Sequence, residues 1–315
     1  MDVLVELERV IGARSCGLQI ADQGVDASEF GALNALAPRA HHDGCVAGLK
    51  AAMLAHDAIT CGASHIVLAG GMESMSNAPY LLPKVRGGLR LGHGRMLDHV
   101  MLDGLEDAYD IAPDGTRRSM GSFGEDCAAK YRFSRERQDA FAIESVARAQ
   151  QATRDGTFAW EIVPVTVSGN GGDVVIDTDE GPRRIKAEKI PRLRPAFRKD
   201  GTITAASSSS INDGAAAILL MRESKATSLS LMPLARIVGH SAHAQEPSRF
   251  TTAPVRAIEK LCETLDWRPG DTDLFEISEA FAVVPIAAMA VNPGSHRSRR
   301  IATPARARLM LPGSS

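Results

Sequence analysis

Apolar positions fall into three kinds of run along this chain of 315 residues. The first opens at Asp43-Gly44-Cys45. It continues through Ala51-Ala52-Met53-Leu54-Ala55-His56-Asp57-Ala58-Ile59-Thr60-Cys61 and stops at Gly62, which predicts a helix apolar round most of its circumference and therefore buried. The second kind is short and continuous. His65 to Gly71 predicts a buried strand whose final glycines let the backbone turn sharply, and a serine-rich loop leads through Asn212-Asp213-Gly214 into a similar strand ending at Met221. The third kind is amphipathic: Ser134 is placed to cap a helix with Glu136 in its first turn, Phe141, Ile143 and Ala147 toward a core, and an end near Gly156. After Pro233 the pattern predicts a strand from Leu234 to Gly239, a helix from Ala253 to Leu265 and a strand from Asp273 to Ile277, the order of an α/β unit.

Residues 75–205 break this pattern. They are richer in charge, glycine and proline, as in Arg86-Gly87-Gly88-Leu89-Arg90-Leu91-Gly92-His93-Gly94, and read as an inserted, more exposed region. The ends differ again. The first forty-four residues have weak periodicity and close on the loop-like Pro38-Arg39-Ala40-His41-His42-Asp43-Gly44. After Glu279 no acidic residue occurs, while Arg297, Arg299, Arg300, Arg306 and Arg308 share a tail with Pro293, Pro304 and Pro312; it reads as a solvated basic tail, without the aromatics that a nucleic-acid arm uses.

With 44% hydrophobic residues the chain can bury a sizeable core, as two domains or one large α/β unit. A net charge of -2 argues against general nucleic-acid affinity. No apolar run approaches the roughly 20 residues that span a bilayer, and Met1 to Glu6 lacks a basic signal-peptide start, so the expected compartment is the cytoplasm. The five cysteines, Cys16, Cys45, Cys61, Cys127 and Cys262, are scattered and never spaced C-x-x-C, so reduced thiols are expected. His41, His42 and Asp43 stand near Cys45, but adjacent side chains point apart and no second cluster completes a shell; no metal site is expected.

Cys45 itself admits two readings. It is a small buried hydrophobe, or a thiolate favoured by the unpaired N–H groups of a helix N-terminus. The surrounding motifs separate the two. Cys45 stands three residues before Gly48-Leu49-Lys50-Ala51. Further along come Gly70-Gly71-Met72-Glu73-Ser74-Met75-Ser76, Met120-Gly121, Glu161-Ile162-Val163-Pro164-Val165, Pro195-Ala196-Phe197, Ser210 to Ala217, and Glu276-Ile277-Ser278-Glu279-Ala280-Phe281. In this order the motifs resemble the thiolases, the acetyl-CoA acetyltransferase group, from Cys45 to about Val284.

The resemblance implies a layered α/β fold of two related, mostly parallel-sheet halves with an inserted loop domain, both halves incomplete. Its parts would be an unmatched segment 1–44, an N-terminal half from 45–74 and 212–232, a CoA-binding loop domain 75–211, a partial C-terminal half 233–290, and an unmatched basic tail 291–315. It implies acyl transfer in Claisen condensation or thiolysis, within fatty acid metabolism, with Cys45 accepting the acyl group. No bound cofactor is implied; acyl-CoA and CoA are substrates, and the family suggests a homodimer or homotetramer. Arg183, in a basic stretch from Arg183 to Lys199, fits the adenine-side arginine. Ser209 falls either beside the pantetheine arm or as a loop serine bonding its own backbone. Ser119 stands where some members have a CoA-facing histidine, and Met120, Phe197, Ala280 and Phe281 fall on acyl-pocket positions.

The sequence also departs from the family. It contains no Gly-His-Pro histidine and no C-x-G cysteine, and Ser278 stands where the family has the asparagine of its oxyanion hole. His240 and His243 read as ordinary loop histidines. The alternative to an enzyme is a catalytically silent chain acting as a CoA-binding or assembly partner. Loss of the motifs together with a composition change at both ends fits out-of-frame translation of those ends or a degraded gene, and the replaced end strands predict exposed sheet edges.

Overall fold

The structure is a computed structural model and describes residues 3–6, 10–11, 47–169, 171–291 and 300–302. Its main sheet contains β1 (Val3–Glu6), β2 (Val10–Ile11), β3 (Ile66–Ser74), β4 (Ile162–Val163), β5 (Asp213–Arg222) and β6 (Ala235–Ile237). β5 lies at the centre. One edge pairs with β3, from Asp213 opposite Ser74 to Met221 opposite Ile66; the other pairs with β1 and, further along, with β2. β6 continues the sheet beyond β1, and β4 continues it beyond β2.

Within this sheet every pairing of β5 is antiparallel, as is β1 with β6, and β2 with β4 alone runs parallel among the described residues. This corrects the mostly parallel expectation for the described residues. Parallel neighbours need a crossover between consecutive strands. β3 and β5 are separated instead by the whole stretch 75–212, which returns the chain from the far end of β3 in the opposite sense.

Two local expectations also change. The strand predicted to turn at Gly70-Gly71 runs on through them to Ser74. A Cβ on Gly70 would lie 2.7 Å from the Ala216 carbonyl oxygen, so glycine serves the close approach of two strands there and not a turn. The helix behind Cys45, α1 (Ala47–Thr60), is buried on one face only. Ala55 and Ile59 pack on Val67, Ala69 and Leu220 of the sheet while Leu49, Leu54 and Asp57 face solvent.

The intervening stretch is not merely an exposed insertion. It contains α2 (Met120–Tyr131) and α3 (Arg135–Arg154), and Phe123, Ile190 and Ile203 are among the most deeply buried side chains described. Ser134 caps α3 as its sequence predicts, its hydroxyl accepting from the Arg137 amide at 3.3 Å. Behind these helices come α4 (Ala253–Leu265), β7 (Leu274–Glu276) and α5 (Val283–Val291). Cys127, Ala128, Phe133 and Ile203 share one core with Phe281, Val283, Ile286 and Ala287, which docks α5 against α2.

The ends also contribute. Val3–Glu6 lies inside the main sheet, and β8 (Arg300–Ala302) pairs in parallel with β7, so neither end is wholly outside packed structure as its composition suggests. Among the described residues β3 pairs along one edge, with β5. No helix among the described residues is long and apolar enough to cross a membrane.

Candidate active site

The helix α2 organises the site. Gly121 and Gly124 lie one turn apart and open a furrow along one face. Phe197 fills its first position so closely that a Cβ on Gly121 would lie 2.2 Å from the ring. Ile203 and Phe281 fill the second, where a Cβ on Gly124 would meet the Ile203 Cδ1 atom at 2.6 Å and the Phe281 ring at 3.3 Å. Phe197 meets Phe281 edge-on at 5.6 Å, and Phe250 tilts against Phe281 from the other side at 6.3 Å. Met120 packs on the same cluster, and Phe197 keeps 38% of its surface open, so the aromatic group has a solvent-facing side.

A short backbone bridge carries polar groups to this furrow. The Ser209 amide donates to the Ala280 carbonyl at 3.0 Å and the Ala282 amide to the Ser207 carbonyl at 2.9 Å, with Ser208 paired opposite Phe281. The serine run is fixed from behind. Thr204 and Ser207 cap one another, and the Ser208 hydroxyl donates to the Thr204 carbonyl at 2.7 Å.

The loop between Phe197 and Ser207 hangs on one buried carboxylate. Glu125 accepts from the Thr202 amide at 2.9 and 3.0 Å, the Thr202 hydroxyl at 3.1 Å and the Ile203 amide at 2.9 Å. The Ala196 amide in turn donates to the Ile203 carbonyl at 2.8 Å, which ties Phe197 to that anchor. Next along the helix, Asp126 lies between Arg118 and Arg198. Partial burial works against its charge, but the two guanidiniums outweigh it and hold the carboxyl below its usual range.

Glu279 immediately precedes Ala280 and Phe281 and meets Ser145 of α3. Burial lifts its carboxyl to about 7; the Ser145 hydroxyl, donating at 3.1 Å, offsets part of the shift and the charge of Glu276 adds to it. Its Oε1 atom is buried without a hydrogen-bond partner among the described residues. The thiols of Cys127 and Cys262 are pushed up by burial, the latter also by Asp271, so neither is poised as a thiolate.

The chain matches two family models end to end along this architecture: "Thiolase, N-terminal domain" over residues 31–224 and "Thiolase, C-terminal domain" over 231–293. The chain belongs to the thiolase family. It is 48% identical over 246 residues to acetyl-CoA acetyltransferase 1 of Arabidopsis thaliana and 45% identical over 244 residues to a probable acetyl-CoA acetyltransferase of Dictyostelium discoideum, covering 77% of this chain and 58% of each relative. The crystal structure of the Bacillus anthracis acetyl-CoA acetyltransferase superposes with a TM-score of 0.76 at 39% identity, covering 83% of this chain and 64% of that one. The fold is therefore that of a thiolase. The chain spans about three fifths of the length of the curated relatives it matches.

Of the positions that thiolase resemblance singles out, Met120, Phe197, Ser209, Ala280 and Phe281 are joined by described contacts. Ser119 caps α2, its hydroxyl accepting from the Ser122 amide at 3.3 Å, which gives it a structural duty beside any toward CoA. Arg183 is exposed in the last turn of a short helix (Glu180–Arg184) that Gln150 of α3 pins by donating to the Pro182 and Ile185 carbonyls. Ser278 is exposed just beyond β7. Cys45 lies outside the described residues, two positions before α1.

Sequence reasoning missed Glu125, Phe250 and Glu279. Glu125-Asp126 stood as a paired acid in an otherwise small and apolar helix, and that was the available signal. Glu279 was noted only as a motif letter.

Proposed function

We propose that this chain is an acyltransferase of the thiolase type, carrying an acyl group between coenzyme A and Cys45. The observation that carries this reading is the assembly of Met120, Phe197 and Phe281 into one half-open apolar group beside the Ser209–Ala280 bridge, from segments far apart in sequence. An apolar wall with a few convergent polar groups suits an acyl chain and its polar arm. Its relatives' names, acetyl-CoA acetyltransferase and acetyl-CoA acyltransferase, support the same chemistry.

In this reading the Cys45 thiolate attacks the thioester carbonyl of acyl-CoA. A new S–C bond forms, the bond from that carbon to the CoA sulfur breaks, and CoA leaves as a thiolate that takes up a proton. The acyl group lies against Met120, Phe197, Ala280 and Phe281, the pantetheine arm passes Ser209 and Ser119, and Arg183 meets the CoA phosphates. Ser278 offers the carbonyl oxygen a single hydroxyl donor. Scattered cysteines without C-x-x-C spacing support a cytoplasmic setting, and fatty acid metabolism and a homodimer or homotetramer follow by family analogy.

One observation favours a second reading. Neither Gly-His-Pro nor C-x-G, the motifs that carry the family's proton-transfer groups for condensation, occurs in these 315 residues. Incubation with acetyl-CoA followed by intact-mass measurement separates the two. An acetyl adduct that Cys45→Ala abolishes supports acyl transfer. CoA binding with no adduct supports a silent, CoA-binding chain.

A further inference from the structure

We propose a divalent metal site of the zinc type formed by His56, Asp57 and His240, between the C-terminal half of α1 and the loop that follows β6. One ring nitrogen of His56, a carboxylate oxygen of Asp57 and one ring nitrogen of His240 all lie within 4.8 Å of one another. His240 Nε2 is 2.8 Å and His56 Nδ1 is 3.7 Å from Asp57 Oδ1. Ligands about 2.0–2.2 Å from a tetrahedral ion stand roughly 3.3–3.6 Å apart, so separations of up to 4.8 Å close with side-chain shifts of about 1 Å. Two imidazoles and a carboxylate suit a borderline ion such as Zn²⁺ or Co²⁺, and leave a fourth position for water. The site is independent of the acyl-transfer reading.

Three further features make this more than a chance hydrogen bond. His56 Nδ1 is buried with no hydrogen-bond partner among the described residues, although its ring stands edge-on to His240 at 5.2 Å. A buried ring nitrogen left unpaired is costly, and a cation on that nitrogen satisfies it. The supports are rigid on both sides. α1 is held to the sheet by Ala55 and Ile59, while Gly239 packs on Leu261 and Leu265 of α4 and the Ser241 hydroxyl donates to the Ala257 carbonyl at 2.6 Å. Access is open, because Asp57 has 59% of its side chain exposed. An ion there would tie α1, the helix that follows Cys45, to the second half of the chain.

The expectation of no metal site rested on adjacent side chains pointing apart near Cys45 with no second cluster to complete a shell; here His240 reaches Asp57 from 183 residues away. Titrating metal-free full-length chain with Co²⁺ and following its visible spectrum tests the proposal. The expected result is one ion per chain with the weak bands of nitrogen and oxygen ligation, an affinity lowered about a hundredfold or more in each of His240→Ala and Asp57→Asn, and a Zn²⁺-dependent rise in melting temperature lost in both. Asp57→Asn keeps the shape of an exposed side chain, so a folded variant is assured by its unchanged far-ultraviolet circular dichroism. Absence of Co²⁺ uptake overturns the proposal. So does uptake equal in wild type and both variants, or a strong sulfur charge-transfer band removed by Cys61→Ser.

Discussion

Replacing Glu125 by glutamine should loosen the site at a single point. The carboxylate accepts from two amides and one hydroxyl of Thr202 and Ile203, at 2.9 to 3.1 Å, and Ile203 is fully buried. A hydrogen bond to a charged group contributes about 1.5–3 kcal/mol net. Glutamine retains one accepting oxygen, so it can keep about half of these contacts, while its NH₂ group faces donors that it cannot accept from. There is no slack for water on that side, since Gly201 lies against the carboxylate so closely that a Cβ there would meet Oε1 at 2.2 Å. The expected loss is about 2–4 kcal/mol, a large part of the roughly 5–15 kcal/mol that holds a folded domain.

Urea unfolding followed by far-ultraviolet circular dichroism measures this loss, with the transition midpoint falling at unchanged slope. Native-state hydrogen exchange gives the local counterpart. The Ile203 amide should exchange faster in Glu125→Gln by more than the global loss explains, because its acceptor is weakened directly. A midpoint shift equivalent to less than about 0.5 kcal/mol, with the Ile203 amide as protected as before, would refute the account of Glu125 as the anchor of this loop.

Two further changes are sharply predicted. Gly121→Ala places a Cβ 2.2 Å from the Phe197 ring, which must swing outward, so a loss of about 1–3 kcal/mol by thermal or urea unfolding is expected; Gly104→Ala, with nothing within 4 Å, should stay within about 0.5 kcal/mol. For Glu279 the folded carboxyl titrates at about 7 against an ordinary 4.5, so the native state holds its proton more tightly than the unfolded chain. That contribution is present below about pH 4.5 and is lost as pH rises to about 7, by at most about 3 kcal/mol and less to the extent that solvent reaches the group. Glu279→Gln should flatten the fall in unfolding free energy between pH 5 and 7.5; an unchanged pH slope would remove burial of this carboxyl as its cause.

Elements with their own punctuation were legible in the sequence, and contacts across long separations were not. Ser134, Glu136 and Gly156 bracket α3 because caps and stops act within one turn, and Ala253 to Leu265 was legible from its apolar pattern in α/β order. Strand direction was not legible, because it depends on how the 75–212 stretch returns the chain. Gly70-Gly71 misled, since a glycine required by a neighbouring backbone looks in sequence like one required by a turn. The four acyl-pocket positions came from motif order and meet in the structure beside Ser209; Glu125 did not, because a buried carboxylate is recognised by the amides that it accepts from, here some 77 residues away.

These features converge on α2, and that convergence has a mechanical consequence. The helix offers Gly121 to Phe197 and, one turn on, Gly124 to Ile203 and Phe281 and the adjacent Glu125 to the Thr202–Ile203 backbone. Phe281 is in turn locked to the serine run by the bridge through Ser207 and Ser209. The apolar wall and the polar bridge therefore share one support, so a displacement of α2 moves both sides of the furrow together and preserves the spacing between them. Only changes that separate the supports, such as loss of Glu125 on one side or of Phe281 on the other, can widen it. A site that must hold an apolar chain and its polar arm at fixed separation gains from that coupling, because positioning errors of about 1 Å are costly to reaction geometry.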